Sequence, residues 1–172
     1  MKRTPLSIHF ILDANVLIDY CKSDKSILAL VSKHVGGVHL ASPVFDEVKQ
    51  LSLDELPDLN IDLAEPELDQ ILAARSRRGP LSFQDHLCLL MALANTWTCV
   101  TNDGKLRREC ETQGIATMWG LEPLALLADA KQISREAALD VARKIQESNP
   151  RFITKEIIKK FRTRISLRLG EK

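Results

Sequence analysis

The sequence has no long hydrophobic run. Its longest unbroken apolar stretch is Leu87 to Ala94, far short of the about 20 residues that cross a bilayer, so no membrane span is expected. A secretory leader is not expected either. Lys2 and Arg3 are basic, but the apolar run that follows contains Asp13 and ends without a small-residue cleavage site. The expected location is the cytoplasm. Cys21, Cys88, Cys99 and Cys110 form no CxxC pair, and each lies in or beside an apolar segment, which suits reduced core thiols better than disulfides or metal ligands. His9, His34, His39 and His86 are scattered without zinc spacing to a cysteine, so zinc is not expected. No internal repeat or low-complexity tract is present. With 45% hydrophobic and 27% charged residues over 172 positions, the chain can bury most of its apolar surface in one compact domain, with room for an appendage.

The net charge of +1 hides an asymmetry. Residues 1–130 carry 12 Lys/Arg against 18 Asp/Glu, and residues 131–172 carry 12 against 5. An acidic body therefore precedes a basic extension, and the chain divides at this point into 1–130 and 131–172.

Hydrophobic periodicity predicts strands alternating with helices along the body. Ser7 to Leu12 reads as a strand that turns directly into a helix carrying Val16, Leu17 and Tyr20. A second helical stretch from Ile27 ends at a Gly36-Gly37 breaker. Val38 to Ala41 is then a strand, Ser42 an N-cap, and Pro43 the first residue of a helix running through Phe45, Val48 and Leu51. A short strand is expected around Leu59 to Leu63, and a helix from Pro66 to about Arg75. After the basic loop "SRRGP", Ser82 caps a helix whose Leu87 to Ala94 segment is apolar on every side and is expected to be buried. Trp97 to Thr101 and Ile115 to Met118 complete the strands. Parallel neighbours need crossovers, which helices supply, so the class is α/β with a mostly parallel sheet between helical layers. Ser134 and Thr154 cap two amphipathic helices in the extension.

In such a sheet, strand C-termini and helix N-termini share one edge, where ligands bind. That edge collects Asp13, Glu47, Asp85 and Asp103. Taken singly, Asp13 and Asp103 read equally well as helix caps, Asp85 as part of a capping turn and Glu47 as a solvated helix residue. Together they form a like-charge cluster that must take up protons or hard cations. Oxygen-only donors select Mg²⁺ or Mn²⁺, and acidic metal pockets serve phosphodiester hydrolysis. Arg75, Arg77, Arg78, Lys105, Arg107 and Arg108 lie near the same edge in sequence and offer partners for flanking phosphates, or simply solvated loop and helix faces.

These residues resemble the PIN-domain ribonucleases, including toxins of VapC type and related predicted nucleic-acid-binding proteins. "ILDANVLID" is similar to the D-x-N opening, "SPVFDEVKQL" and "SFQDHLCLLMALA" to the helices of the second and third acids, and "CVTNDGKL" to the T-x-D motif. The resemblance spans residues 6–130. It implies a three-layer fold with a central parallel sheet and Mg²⁺- or Mn²⁺-dependent RNA cleavage. It also implies Asp13, Glu47, Asp85 and Asp103 as catalytic and metal-binding carboxylates, with Asn15 and Thr101 in support. Asp46 competes with Glu47 for the second acid. Toxin members often form homodimers and are silenced by a small antitoxin. Residues 131–172 resemble the helical tail of one branch; their expected place is against the sheet with Lys159, Lys160, Arg164 and Arg168 facing water, and contact with RNA, an acidic partner or a second copy are the alternatives. For the whole chain, the alternative to an RNA-cleaving enzyme is a non-catalytic PIN-like module that binds RNA or protein. An aspartyl-phosphate hydrolase is disfavoured because Asn15 stands where such enzymes usually carry a second aspartate.

Overall fold

The computed structural model describes residues 7–167. Five strands form one parallel sheet: β1 (Ile8–Leu12), β2 (Gly36–Ala41), β3 (Ile61–Ala64), β4 (Thr98–Val100) and β5 (Thr117–Met118). Their order across the sheet is β3-β2-β1-β4-β5. The chain therefore builds outward from β1 to one edge, then crosses back to β4 on the other side of β1. The crevice beyond the C-terminal ends of β1 and β4 is the topological switch point, where open α/β sheets bind ligands.

Alternation along β1 explains the layers. Phe10 and Leu12 point into one apolar cluster and Ile11 into the other, all three fully or almost fully buried. On the first face lie α1 (Ala14–Ser23), α2 (Ser26–His34), α4 (Leu56–Leu59) and α8 (Glu122–Asp129). On the second lie α6 (Phe83–Asn95) and α7 (Gly104–Thr112), flanked by α5 (Leu68–Ser76), which packs on α6. The result is a three-layer α/β fold. Among the described residues, no helix is long and apolar enough to cross a membrane.

Several local expectations are corrected. Gly36 and Gly37 do not break the chain; they open β2, pairing with Ile8 and His9. A Cβ at Gly36 would stand 2.1 Å from the Ile8 carbonyl oxygen, and one at Gly37 2.6 Å from His9 Nδ1, so glycine here serves close strand approach. The helix after β2, α3 (Ser42–Phe45), stops after four residues instead of running through Leu51. Val48 and Leu51 still reach the core, from a turn. Ala41, not Ser42, is its N-cap, because the Ser42 hydroxyl donates to Glu65 at 2.6 Å. α5 begins at Leu68 rather than Pro66, where Glu67 and Gln70 form a capping box. On α6, Leu87, Cys88, Leu89, Met91 and Ala92 are buried, but Leu93 and Ala94 are exposed near the helix end. α8 occupies a stretch for which the sequence suggested no element.

The extension forms α9 (Arg135–Ser148) and α10 (Lys155–Leu167). Ser134 caps α9 by accepting from Ala137 N–H at 3.0 Å. Ala138, Val141, Ala142 and Ile145, with Ile158, Phe161 and Ile165, join the cluster beneath α1 and α8. The pair thus packs on α1 and α8 rather than directly on the sheet. Lys159 and Lys160 face solvent. Arg164 does not: it binds Glu122 at 2.6 Å and Asp129 at 2.8 Å, locking α10 to α8. Arg168 lies outside the described residues. A second tie is polar: Asp19 on α1, buried, accepts from Asn149 Nδ2 at 3.0 Å.

Candidate functional site

Register builds the site. Leu12 pairs with Val100, so the next residues, Asp13 and Thr101, leave adjacent strands side by side. Asp13 N–H donates to the Val100 carbonyl at 3.2 Å, extending the pairing one step. The Asp13 carboxylate then caps α1, one oxygen accepting from Val16 N–H at 2.8 Å and the other from the Thr101 hydroxyl. Thr101 Oγ1 also accepts from Asp103 N–H at 3.0 Å. Asp103 in turn caps α7, accepting from Lys105 N–H at 2.6 Å and Leu106 N–H at 3.1 Å. One fully buried threonine hydroxyl therefore fixes Asp13 and Asp103 relative to each other.

Asp85 enters from the first turn of α6, where its N–H donates to the Ser82 hydroxyl at 3.1 Å. Its charge raises the Asp13 pKa, as does that of Asp103, and Asp103 raises that of Asp85. Asp85 on α6 and Asp103 beyond β4 thus lie within electrostatic reach of Asp13 beyond β1. Burial is the largest cause for Asp13, which is only 3% exposed; its carboxyl is pushed up to about 6 despite the hydrogen bonds from Thr101 and Val16. Burial also leads for Asp85, whose carboxyl is raised.

Glu47 stands apart. It is exposed in the turn after α3, as is its neighbour Asp46, and its charge reaches the buried Cys88 thiol but is not among the causes acting on Asp13 or Asp85. Asn15 is exposed on the first turn of α1, and no hydrogen bond joins its amide to an acid among the described residues.

The cations divide. Arg77 is engaged by His86 and by Glu109, the latter at 2.7 Å. Arg107 lies 3.8 Å over the Trp119 ring and 3.8 Å from Glu111. Arg75 lies 5.8 Å over the Phe83 ring. Arg108 Nε donates to Gly104 O at 3.1 Å. Arg78 and Lys105 are exposed. Sequence reasoning passed over Asn102, Trp119 and Gly120. Gly120 N–H donates to Asn102 Oδ1 at 2.9 Å, and the Tyr20 hydroxyl donates to Gly120 O at 2.6 Å, so the segment after β5 is tied to the same edge. The logic that found Asp13 and Asp103 at strand ends applies equally to Trp119 and Gly120 after β5.

The oxygen-only donor set and its mutual repulsion fit a hard divalent cation in kind. Among the described residues, however, no three His, Cys, Asp or Glu side chains stand in a metal-holding arrangement. Asp85 is half-buried and Glu47 is exposed. The chain was compared with protein-family models, curated proteins and solved structures, and none of the three gave a match.

Proposed function

We propose that the protein is a divalent-metal-dependent ribonuclease acting at the C-terminal edge of β1 and β4. The observation that supports this most is the trio Asp13, Asp85 and Asp103, brought from distant parts of the chain to the switch point, with a buried carboxylate among them. Capping alone does not call for it, since Ser or Asn caps as well without desolvating a charge. Asp13, Asp85 and Asp103 would hold Mg²⁺ or Mn²⁺, with Glu47 closing the site from its exposed turn. When bound, the cation supplies neutralisation of phosphate charge and eases deprotonation of an attacking water. Thr101 holds Asp13 and Asp103 in register, while Arg78, Lys105 and Arg108 are exposed cations available to flanking phosphates. Hydrolysis would leave a 5′-phosphate and a 3′-hydroxyl.

The test compares folded wild type, Asp13→Asn and Asp103→Asn on single-stranded RNA with Mn²⁺ or Mg²⁺ and with EDTA. The expected result is EDTA-sensitive cleavage by wild type alone. Equal turnover in all three proteins, or none by wild type with Mn²⁺, overturns it. That no metal-holding trio stands ready among the described residues favours a second reading, a PIN-like module that binds RNA without cutting it. Its signature would be RNA affinity that survives both substitutions, with no Mn²⁺ binding.

A further inference from the structure

We propose that Trp119 is a stacking platform for an unpaired nucleobase of RNA, set beside the carboxylate edge; this rests on the ribonuclease reading for the identity of the ligand. Trp119 is 53% exposed although it follows a strand of the central sheet. Its backbone is bracketed by two bonds to the segment that carries Asp103: Thr101 N–H donates to Met118 O at 3.0 Å, and Gly120 N–H to Asn102 Oδ1 at 2.9 Å. Gly120 is held from its other side by Tyr20. The indole is thus mounted on a rigid piece of backbone that shares Thr101 with Asp13.

One ring face is already occupied. The Arg107 guanidinium sits 3.8 Å from the ring centroid, its Nη1 is buried without a hydrogen-bond partner, and its Nη2 lies 3.8 Å from Glu111. The arginine is therefore spent on orienting the ring rather than on a phosphate, while about half of the Trp119 surface stays open to solvent. A cation behind an indole leaves a flat, preorganised surface for a second π-system. Lys105 and Arg108, exposed on the same helix as Arg107, provide positive charge for a phosphodiester backbone entering beside that surface. By contrast, the other tryptophan, Trp97, is already stacked on His39 with ring centroids 4.0 Å apart.

The experiment measures binding in EDTA, where no cleavage can occur, so that it stands apart from the nuclease test. Wild type, Trp119→Ala and Trp119→Phe, each checked for folding by circular dichroism, are titrated with a short oligouridylate and with an abasic oligomer of equal length. Tryptophan fluorescence and fluorescence anisotropy are both read. The expected result is quenching in wild type that is absent in Trp119→Ala. Oligouridylate affinity should fall about 5- to 150-fold in Trp119→Ala, with most of it kept in Trp119→Phe and the abasic affinity unchanged. Equal oligouridylate affinity of wild type and Trp119→Ala overturns the platform even if wild type cleaves RNA. Base-dependent loss at Trp119 in a protein that never cleaves RNA supports the platform and removes the nuclease. Absence of any RNA binding by wild type in EDTA overturns the platform and leaves the nuclease to the cleavage assay with Mn²⁺.

Discussion

Asp13→Asn is expected to stabilise the metal-free protein at neutral pH. Burial, reinforced by Asp85 and Asp103, lifts the Asp13 carboxyl from 3.8 to about 6. Between those values the folded chain holds a proton that the unfolded chain has released. Stability from this group therefore falls as pH rises through the window and stays at the lower level above it. A rise of about two pKa units, at about 1.4 kcal/mol each, puts the cost of the ionised carboxylate near 3 kcal/mol at pH 7. Asparagine removes that charge and keeps an acceptor for Val16 N–H, but it weakens the bond to the Thr101 hydroxyl by about 1 to 2 kcal/mol. The net gain is about 1 to 2 kcal/mol at pH 7, or about 2 to 8 °C in Tm for a chain of this size. At pH 4, where wild-type Asp13 is largely protonated, the gain disappears or reverses. Thermal and urea unfolding of both proteins in EDTA at the two pH values gives the answer. A variant less stable than wild type at pH 7, or a difference that does not change with pH, refutes the assignment of a destabilising buried charge. A residue whose removal stabilises the fold is one kept for another reason.

Thr101→Val removes the hydroxyl that joins Asp13 to Asp103 and is expected to lower Mn²⁺-dependent cleavage about 10- to 100-fold, the usual cost of losing a group that orients metal ligands; Thr101→Ser should keep most of the rate. Asn149→Ala removes the side-chain hydrogen bond to Asp19, whose other oxygen is already buried and unbonded among the described residues. A loss of about 1 to 3 kcal/mol in urea unfolding is expected, with no effect on RNA cleavage because Asp19 faces α9 rather than the β1–β4 edge. An unchanged midpoint would remove this tie from the account of how the extension is held.

The strand-to-helix seam at Asp13 was legible because period and polarity change together there: Phe10, Ile11 and Leu12 are buried as a strand, and Val16, Leu17 and Tyr20 resume burial at helical spacing. Asp103 was legible for the same reason. The segment around Glu47 was not. Its apolar spacing, Phe45, Val48 and Leu51, suits a helix, yet the helix ends at Phe45 and a turn delivers Val48 and Leu51 to the same core. Burial fixes which residues go inward but leaves the backbone route open over so short a span. The glycine pair was misread because a breaker and a close strand approach use the same residue type, and only the lack of room at Ile8 O, where a Cβ on Gly36 would stand 2.1 Å away, separates them. Arg77, Arg107 and Arg164 show a similar limit: their charge is plain in the sequence, but their partners Glu109, Trp119, Glu122 and Asp129 are set by tertiary packing.

The acids differ in how firmly the fold holds them, and this sets how a cation would read each one. Asp13 and Asp103 are fixed by hydrogen bonds before any ligand arrives. Glu47 is exposed and forms no side-chain hydrogen bond or ion pair among the described residues. Recruiting it requires freezing a free glutamate side chain, at about 1.5 to 2 kcal/mol, which offsets about 10- to 30-fold of any affinity its carboxylate adds. Calorimetric titration with Mn²⁺ should therefore show a graded response, with Asp13→Asn and Asp103→Asn abolishing binding and Glu47→Gln weakening it by about tenfold or less. If Glu47→Gln abolishes binding as completely as Asp13→Asn, the turn after α3 must be ordered before the cation arrives. If it binds as wild type does, the site closes on three aspartates and Glu47 is no ligand.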